Sequence, residues 1–193
     1  MLAGCSERRI APPVKVNAEQ VAAEAMKQLD ANGDGFLDET ELAKCPGLLS
    51  CLQAWDTDKD GKLSKAEITE GLSPLKDNET GLRAVSCRVY LDDRPLAGAS
   101  VKLVPEKFLG LELKPVSGTS DTDGRVRLQA AGQEFPGVPP GIYRIEVSLK
   151  DSGGQETIPA RYNRETMLGK QIGVAKVVDP NANTILLRLT SSR

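Results

Sequence analysis

The 193-residue sequence contains no histidine. That absence removes the Ser-His-Asp and Cys-His nucleophile arrangements, the HExxH zinc site and the zinc clusters that need imidazole. Its four cysteines form no CxxC pair, so zinc-ribbon spacing is missing too. Aromatic residues are only 4%, and no stretch approaches the ~20 consecutive apolar residues of a membrane-spanning helix. With 27% charged and 39% hydrophobic residues the chain reads as globular but lean in large core side chains. No catalytic constellation remains after these exclusions, and no enzymatic activity is expected.

Charge is unevenly spread. Residues 15–72 carry 12 acids and 6 bases, a net of −6, whereas residues 82–193 carry 12 acids and 16 bases, a net of +4. The positive half has no Lys/Arg cluster, which excludes nucleic acid as a partner. The negative half contains a twelve-residue pattern written twice. The first copy is DANGDGFLDETE, residues 30–41, and the second is DTDKDGKLSKAE, residues 56–67.

In each copy oxygen-bearing side chains fall at positions 1, 3, 5 and 9: Asp30, Asn32, Asp34 and Asp38, then Asp56, Asp58, Asp60 and Ser64. Glycine stands at position 6 (Gly35, Gly61) and glutamate at position 12 (Glu41, Glu67). Ca²⁺ is a hard ion taking six to eight oxygens at about 2.3 to 2.6 Å, so a chain that holds it must curl and present an oxygen at nearly every second residue. Position 7 (Phe36, Lys62) tolerates any side chain because only its backbone carbonyl binds, and the glutamate reaches back to close the sphere with two oxygens. Leu37 and Leu63 at position 8 are apolar within polar loops, and a short two-stranded contact is expected to join them.

Both segments resemble EF-hand loops, matching D-x-[DN]-x-[DN]-G-x₅-E at every position. The resemblance implies two Ca²⁺, which would bring this half from −6 to −2. The flanks read as helices. Asn17 with Gln20 caps an entering helix whose Val21, Ala22, Ala25, Met26 and Leu29 share one face. Pro46 ends a short exiting helix and opens the next, with Leu48, Leu49, Leu52 and Trp55 on its apolar face, and Gly71 closes the last. Only 14 residues separate the loops, so the inner helices span about two turns or less. A Met-rich target groove of the calmodulin kind does not fit there, and a structural or buffering role is expected rather than a switch.

Residues 73–81 are polar and rich in turn formers, a linker. Beyond them the apolar period falls to 2, in Val85, Cys87, Val89 and Leu91, in Val101 and Leu103, in Val126 and Leu128, and in Tyr143, Ile145, Val147 and Leu149. Further strand-like runs cover residues 171–178 and 184–190. About seven short strands predict an antiparallel β-sandwich. RPLAGASVKLVPE, SGTSDTDGRVRL, GVPPGIYRIEVS and IPARYN together resemble the carboxypeptidase regulatory-like domains, which have a transthyretin-like (prealbumin-like) sandwich. Asp121-Thr122-Asp123-Gly124 lacks the downstream ligands of a calcium loop and reads as a hairpin turn.

At the other end, Leu2-Ala3-Gly4-Cys5 resembles the lipobox of bacterial lipoproteins. On that resemblance the chain begins within a signal peptide, Cys5 is lipidated, and the protein is exported and tied to the membrane of the cell envelope by lipid alone. Of the remaining thiols, Cys45 and Cys51 are the best candidates for a disulfide, although six helical residues span ~9 Å and a bend at Pro46 is required. Cys87 reads as a buried apolar residue.

The expectation is an α+β chain of two domains: an N-terminal tether (1–16), an all-α EF-hand pair (17–72), a linker (73–81) and a C-terminal β-sandwich (82–193). Its expected role is calcium binding, with the sandwich as spacer or interaction module. Two alternatives stay open: a calcium-responsive protein-interaction module, and a carbohydrate-binding module, for which Phe108, Phe135, Tyr143 and Tyr162 are too scattered to form an obvious platform.

Overall fold

The computed structural model of the protein describes residues 16–75, 81–110, 113–173 and 183–192. Helix α1 (Ala18–Leu29) begins where Asn17 leaves the helical region and its side chain accepts the Gln20 N–H at 3.2 Å. Its Val21, Ala22 and Ala25 are buried against the last helix of this half, α5 (Lys65–Leu72). Between them lie β1 (Phe36–Leu37), α2 (Glu39–Leu42), α3 (Pro46–Leu49), α4 (Leu52–Trp55) and β2 (Leu63–Ser64).

Two local expectations need correction. The helix opened by Pro46 does not run on to Trp55: it breaks at residues 50–51. There the Gly47 carbonyl is taken by the Ser50 hydroxyl at 2.6 Å and the Cys51 thiol at 3.5 Å, while the Cys51 N–H reaches back only three residues, to Leu48 O at 2.9 Å. Side chains competing for a backbone acceptor in this way end a helix. Gly71, expected as a helix stop, lies inside α5. A Cβ there would overlap the Trp55 indole, so this glycine serves ring packing rather than termination.

The second half is two facing sheets. Strands β10 (Gly169–Ile172), β9 (Gly141–Ser148), β5 (Ser100–Pro105), β6 (Val116–Thr119) and β8 (Gln129–Ala130) form one sheet in that order, antiparallel throughout. In the other sheet β11 (Thr184–Leu189), β3 (Ser86–Leu91) and β4 (Arg94–Pro95) run side by side, and β7 (Arg125–Val126) also pairs with β3. The architecture is the expected α+β one, and its strands are mostly antiparallel. One pair departs: β3 and β11 are parallel, in register from Ser86↔Thr184 to Leu91↔Leu189. A hairpin forces antiparallel pairing only on strands close in sequence, and these are the first and last of the sandwich. Of the run expected over 171–178, the described part belongs to β10, and residues 174–178 lie outside the described residues.

The sandwich core holds Cys87, Val89, Val101, Leu103, Tyr143, Ile145, Val147, Ile185 and Leu187. A second core fills the helical half, and it does not stop there. Besides Leu37, Leu42, Leu48, Leu63, Ile68 and Leu72 it contains Phe108 and Leu109, from a 3₁₀ turn (Lys107–Leu109) after β5, and Ile142 of β9. Strand β9 therefore begins buried on both faces, with Tyr143 turned into the sandwich and Ile142 into the helices. Leu75, at the end of the 3₁₀ turn (Ser73–Leu75) that continues α5, is 1% exposed in the same helical core.

Candidate metal centre

The two acidic loops lie side by side, joined through β1 and β2 with Leu37 opposite Leu63 and Phe36 opposite Ser64. Both leucines are fully buried, which anchors the floor of the pair while the loop tips stay in solvent. At loop position 6 Gly35 and Gly61 have φ of 84° and 81°, a conformation costly for residues with a Cβ, and it turns the chain across the loop mouth.

The acidic side chains of both loops are held by backbone N–H groups of their own loop. In the first loop Asp30 accepts from the N–H of Gly33 at 2.7 Å and of Gly35 at 3.1 Å, Asn32 from Asp34 at 2.8 Å, and Asp34 from Phe36 at 2.9 Å. Glu41 turns back to take the Ala31 N–H at 2.8 Å and the Asp38 N–H at 3.2 Å. The second loop repeats the plan. Asp56 accepts from Gly61 at 2.9 Å, Asp58 from Asp60 at 3.2 Å, and Asp60 from Lys62 at 2.8 Å, while Glu67 takes Thr57 at 2.8 Å and Ser64 at 2.9 Å. In each loop the position-12 glutamate thus folds back onto the backbone of the residue that follows position 1. Glu41 and Glu67 are 5% and 8% exposed, unusual for carboxylates and expected where they line an inside rather than a surface.

Position 9 has a second duty. Asp38 caps α2 and Ser64 caps α5, each in a reciprocal capping box with the glutamate three residues on. An oxygen engaged in a cap reaches a loop-centred ion through a water, as position 9 often does. Phe36 and Lys62 hold position 7 as expected, but Lys62 does more than offer its carbonyl. Its ammonium lies 3.2 Å from Asp34 Oδ2 of the other loop and 5.5 Å from the Phe36 ring centre. Spacing alone did not reveal this cross-loop pair; a lysine at a position whose side chain is free was the available signal.

Among the described residues the second loop alone brings three carboxylates together, and its fit to a divalent ion rests on distance and donor type. One carboxylate oxygen each of Asp56, Asp58 and Asp60 lie within 4.8 Å of one another. That is the greatest separation two ligands can have across an ion bound at about 2.4 Å, and all donors are oxygen, which suits Ca²⁺. Electrostatics agree. Asp58 is pulled down by the Asp60 N–H, but burial and the nearby Asp60 and Glu67 carboxylates outweigh that and raise its pKa. In Asp34 the Phe36 N–H and then Lys62 prevail over burial and lower it. For Glu67 burial acts upward, yet hydrogen bonds from Ser64 and Thr57 hold the pKa at about 2, so the carboxylate stays ionised.

Other expected sites resolve as follows. Cys5 lies outside the described residues. Cys45 and Cys51 are free thiols, not a disulfide: Cys51 donates to the Gly47 carbonyl, and burial pushes its pKa up to about 12. Cys87 is free and buried in β3. Asp121 closes a turn by accepting the Asp123 and Arg125 N–H groups, both at 2.9 Å. Phe108 and Tyr143 are buried, which removes them from any aromatic platform.

Residues 22–46 and 50–72 match the family model for the EF hand, a match that covers both loops and implies calcium as the ligand. No curated protein matches the chain. Among solved structures, the chain is similar to the crystal structure of the major pilin subunit of Bacillus cereus at 19% identity, over 55% of this chain and 29% of the pilin, with a TM-score of 0.27. That likeness is too low to define a shared architecture.

Proposed function

We propose that this is a non-enzymatic calcium-binding protein of the cell envelope, holding two Ca²⁺ in its paired loops. Asp30, Asn32, Asp34 and Glu41 hold one ion and Asp56, Asp58, Asp60 and Glu67 the other, with the carbonyls of Phe36 and Lys62 and the oxygens of Asp38 and Ser64 completing the shells. The observation that carries this reading is the buried glutamate at the end of each loop, turned back towards the aspartate at its start. A merely solvated acidic turn has no reason to bury a carboxylate.

The sandwich serves as the body that presents the loops, in keeping with its resemblance to carboxypeptidase regulatory-like domains. The lipobox-like tetrapeptide supports export and attachment through lipid on Cys5. Isothermal titration is expected to give about two Ca²⁺ per chain, with one site lost in Glu41→Gln and the other in Glu67→Gln. Affinities near 10⁻⁴ to 10⁻³ M would suit an extracellular module. No heat at several millimolar Ca²⁺ would end the reading.

A further inference from the structure

The connection between the loops is also the surface by which the helical half grips the sandwich. Helix α3, midway between the two acidic loops, packs on β9 and β10 of the five-stranded sheet. Its contact is close. At Gly47 a Cβ would lie 2.7 Å from Glu106 Cγ and 2.8 Å from Ile142 Cγ2, and at Gly169 of β10 it would overlap the Pro46 carbonyl. The Gly47 N–H donates to Glu106 Oε1 at 2.8 Å, a buried bond between residues 59 apart in sequence. A second polar tie joins Gln171 Nε2 of β10 to the Gly71 carbonyl of α5 at 3.3 Å. Around these ties the helical core takes in Phe108, Leu109 and Ile142 from the sandwich half.

We propose that the loops and the sandwich form one cooperative unit, so that calcium bound by the loops stabilises the β-sandwich through the seat of α3 on β9 and β10. Three features require it. The same α3 is tethered at both ends to loop-bearing segments, so ordering either loop restrains its position. Its seat admits no side chain at Gly47 or Gly169, so it cannot slide without opening the interface. And Ile142 and Tyr143 are adjacent on one strand but lie in different cores, so neither core is lost without exposing the other. A ligand that binds only the folded unit lowers the unfolded population by a factor of about 1 + [L]/Kd for each site it fills, which acts on every element that unfolds with it.

This inference rests on the calcium reading, and its test separates the two. Cys87 in β3 is a native reporter, 3% exposed in the sheet facing away from the helices, whereas Cys45 and Cys51 lie in the helical core. The full chain is labelled under native conditions with a small thiol reagent, with and without Ca²⁺, and each cysteine is quantified by peptide mapping. At free Ca²⁺ about tenfold above the Kd of both sites, labelling of Cys87 is expected to slow on the order of a hundredfold, in step with Cys45 and Cys51. Slowing confined to Cys45 and Cys51, with Cys87 unchanged, overturns the coupling while leaving calcium binding intact. Absence of calcium heat in the same preparation overturns both. In Gly47→Ala, which pries α3 from Glu106 and Ile142, calcium is still bound but its protection of Cys87 is expected to fall at least tenfold relative to the parent. Full protection there would place the coupling elsewhere and overturn the role given to α3.

Discussion

Single residues set the character of each loop. Lys62 pairs across to Asp34, placing a cation against an oxygen of the proposed first calcium site. The pair is exposed, so its effect is small and screened by salt. In Lys62→Met the first loop is expected to bind Ca²⁺ roughly two- to fivefold more tightly at low salt, a gain that fades as ionic strength rises. Glu67 makes a pH statement without metal. Its folded pKa of about 2 lies below the usual 4.5, so it contributes stability above about pH 4.5 that is lost as pH falls towards 2. Acid titration of the metal-free protein, followed by circular dichroism, should show that loss shrink in Glu67→Gln. Asp58 acts the other way on binding: with its pKa raised, protons compete for the second loop at a higher pH than for an ordinary aspartate. The two loops were legible from spacing because each position of the EF-hand pattern constrains residue type, and the family model matches both. Lys62 was not, because position 7 constrains only the backbone.

Elements were legible where their pattern was local and illegible where a distant partner decided them. The cap at Asn17 follows from a neighbour three residues away, and it is present. Gly71 looked like a helix stop because glycine usually is one; Trp55, sixteen residues back, makes it an internal packing site instead. Ile142 sits in a run that alternates from Tyr143 onward, and only the arrival of α3 explains why the strand begins apolar on both sides. That interface predicts two outcomes. Leu48, fully buried on α3, should cost about 2 to 5 kcal/mol when cut to alanine, measured by denaturant melts. Glu106 is the titrating partner: burial raises its pKa against the pull of Gly47, Cys45 and Arg144. A carboxylate raised on folding gives stability that is full below its unfolded pKa and is lost as pH rises through its folded pKa. In Glu106→Gln, which keeps an acceptor for the Gly47 N–H, the melting temperature should therefore exceed the parent's at pH 8 and match it near pH 4.

At the scale of the molecule, the change of apolar period from 3.6 to 2 separated helices from strands, and the turn read at Asp121–Gly124 falls between β6 and β7. What periodicity could not convey was how the two halves meet. An interface made of two glycines, one buried glutamate and a short helix leaves no repeating signature in sequence. Nor could it reveal the parallel β3–β11 pair, which is set by how the chain's ends close the second sheet. The resulting molecule is a paired loop floor of Leu37 and Leu63, a helical core beneath it, and a sandwich whose five-stranded sheet forms that core's far wall. The proposed role depends on the loops holding cations. Native mass spectrometry in ammonium acetate with added Ca²⁺ counts them directly. The account predicts two bound ions on the parent chain, one on Glu41→Gln, one on Glu67→Gln and none on the double variant. A parent chain that carries no calcium, or the same number in all four proteins, would contradict it.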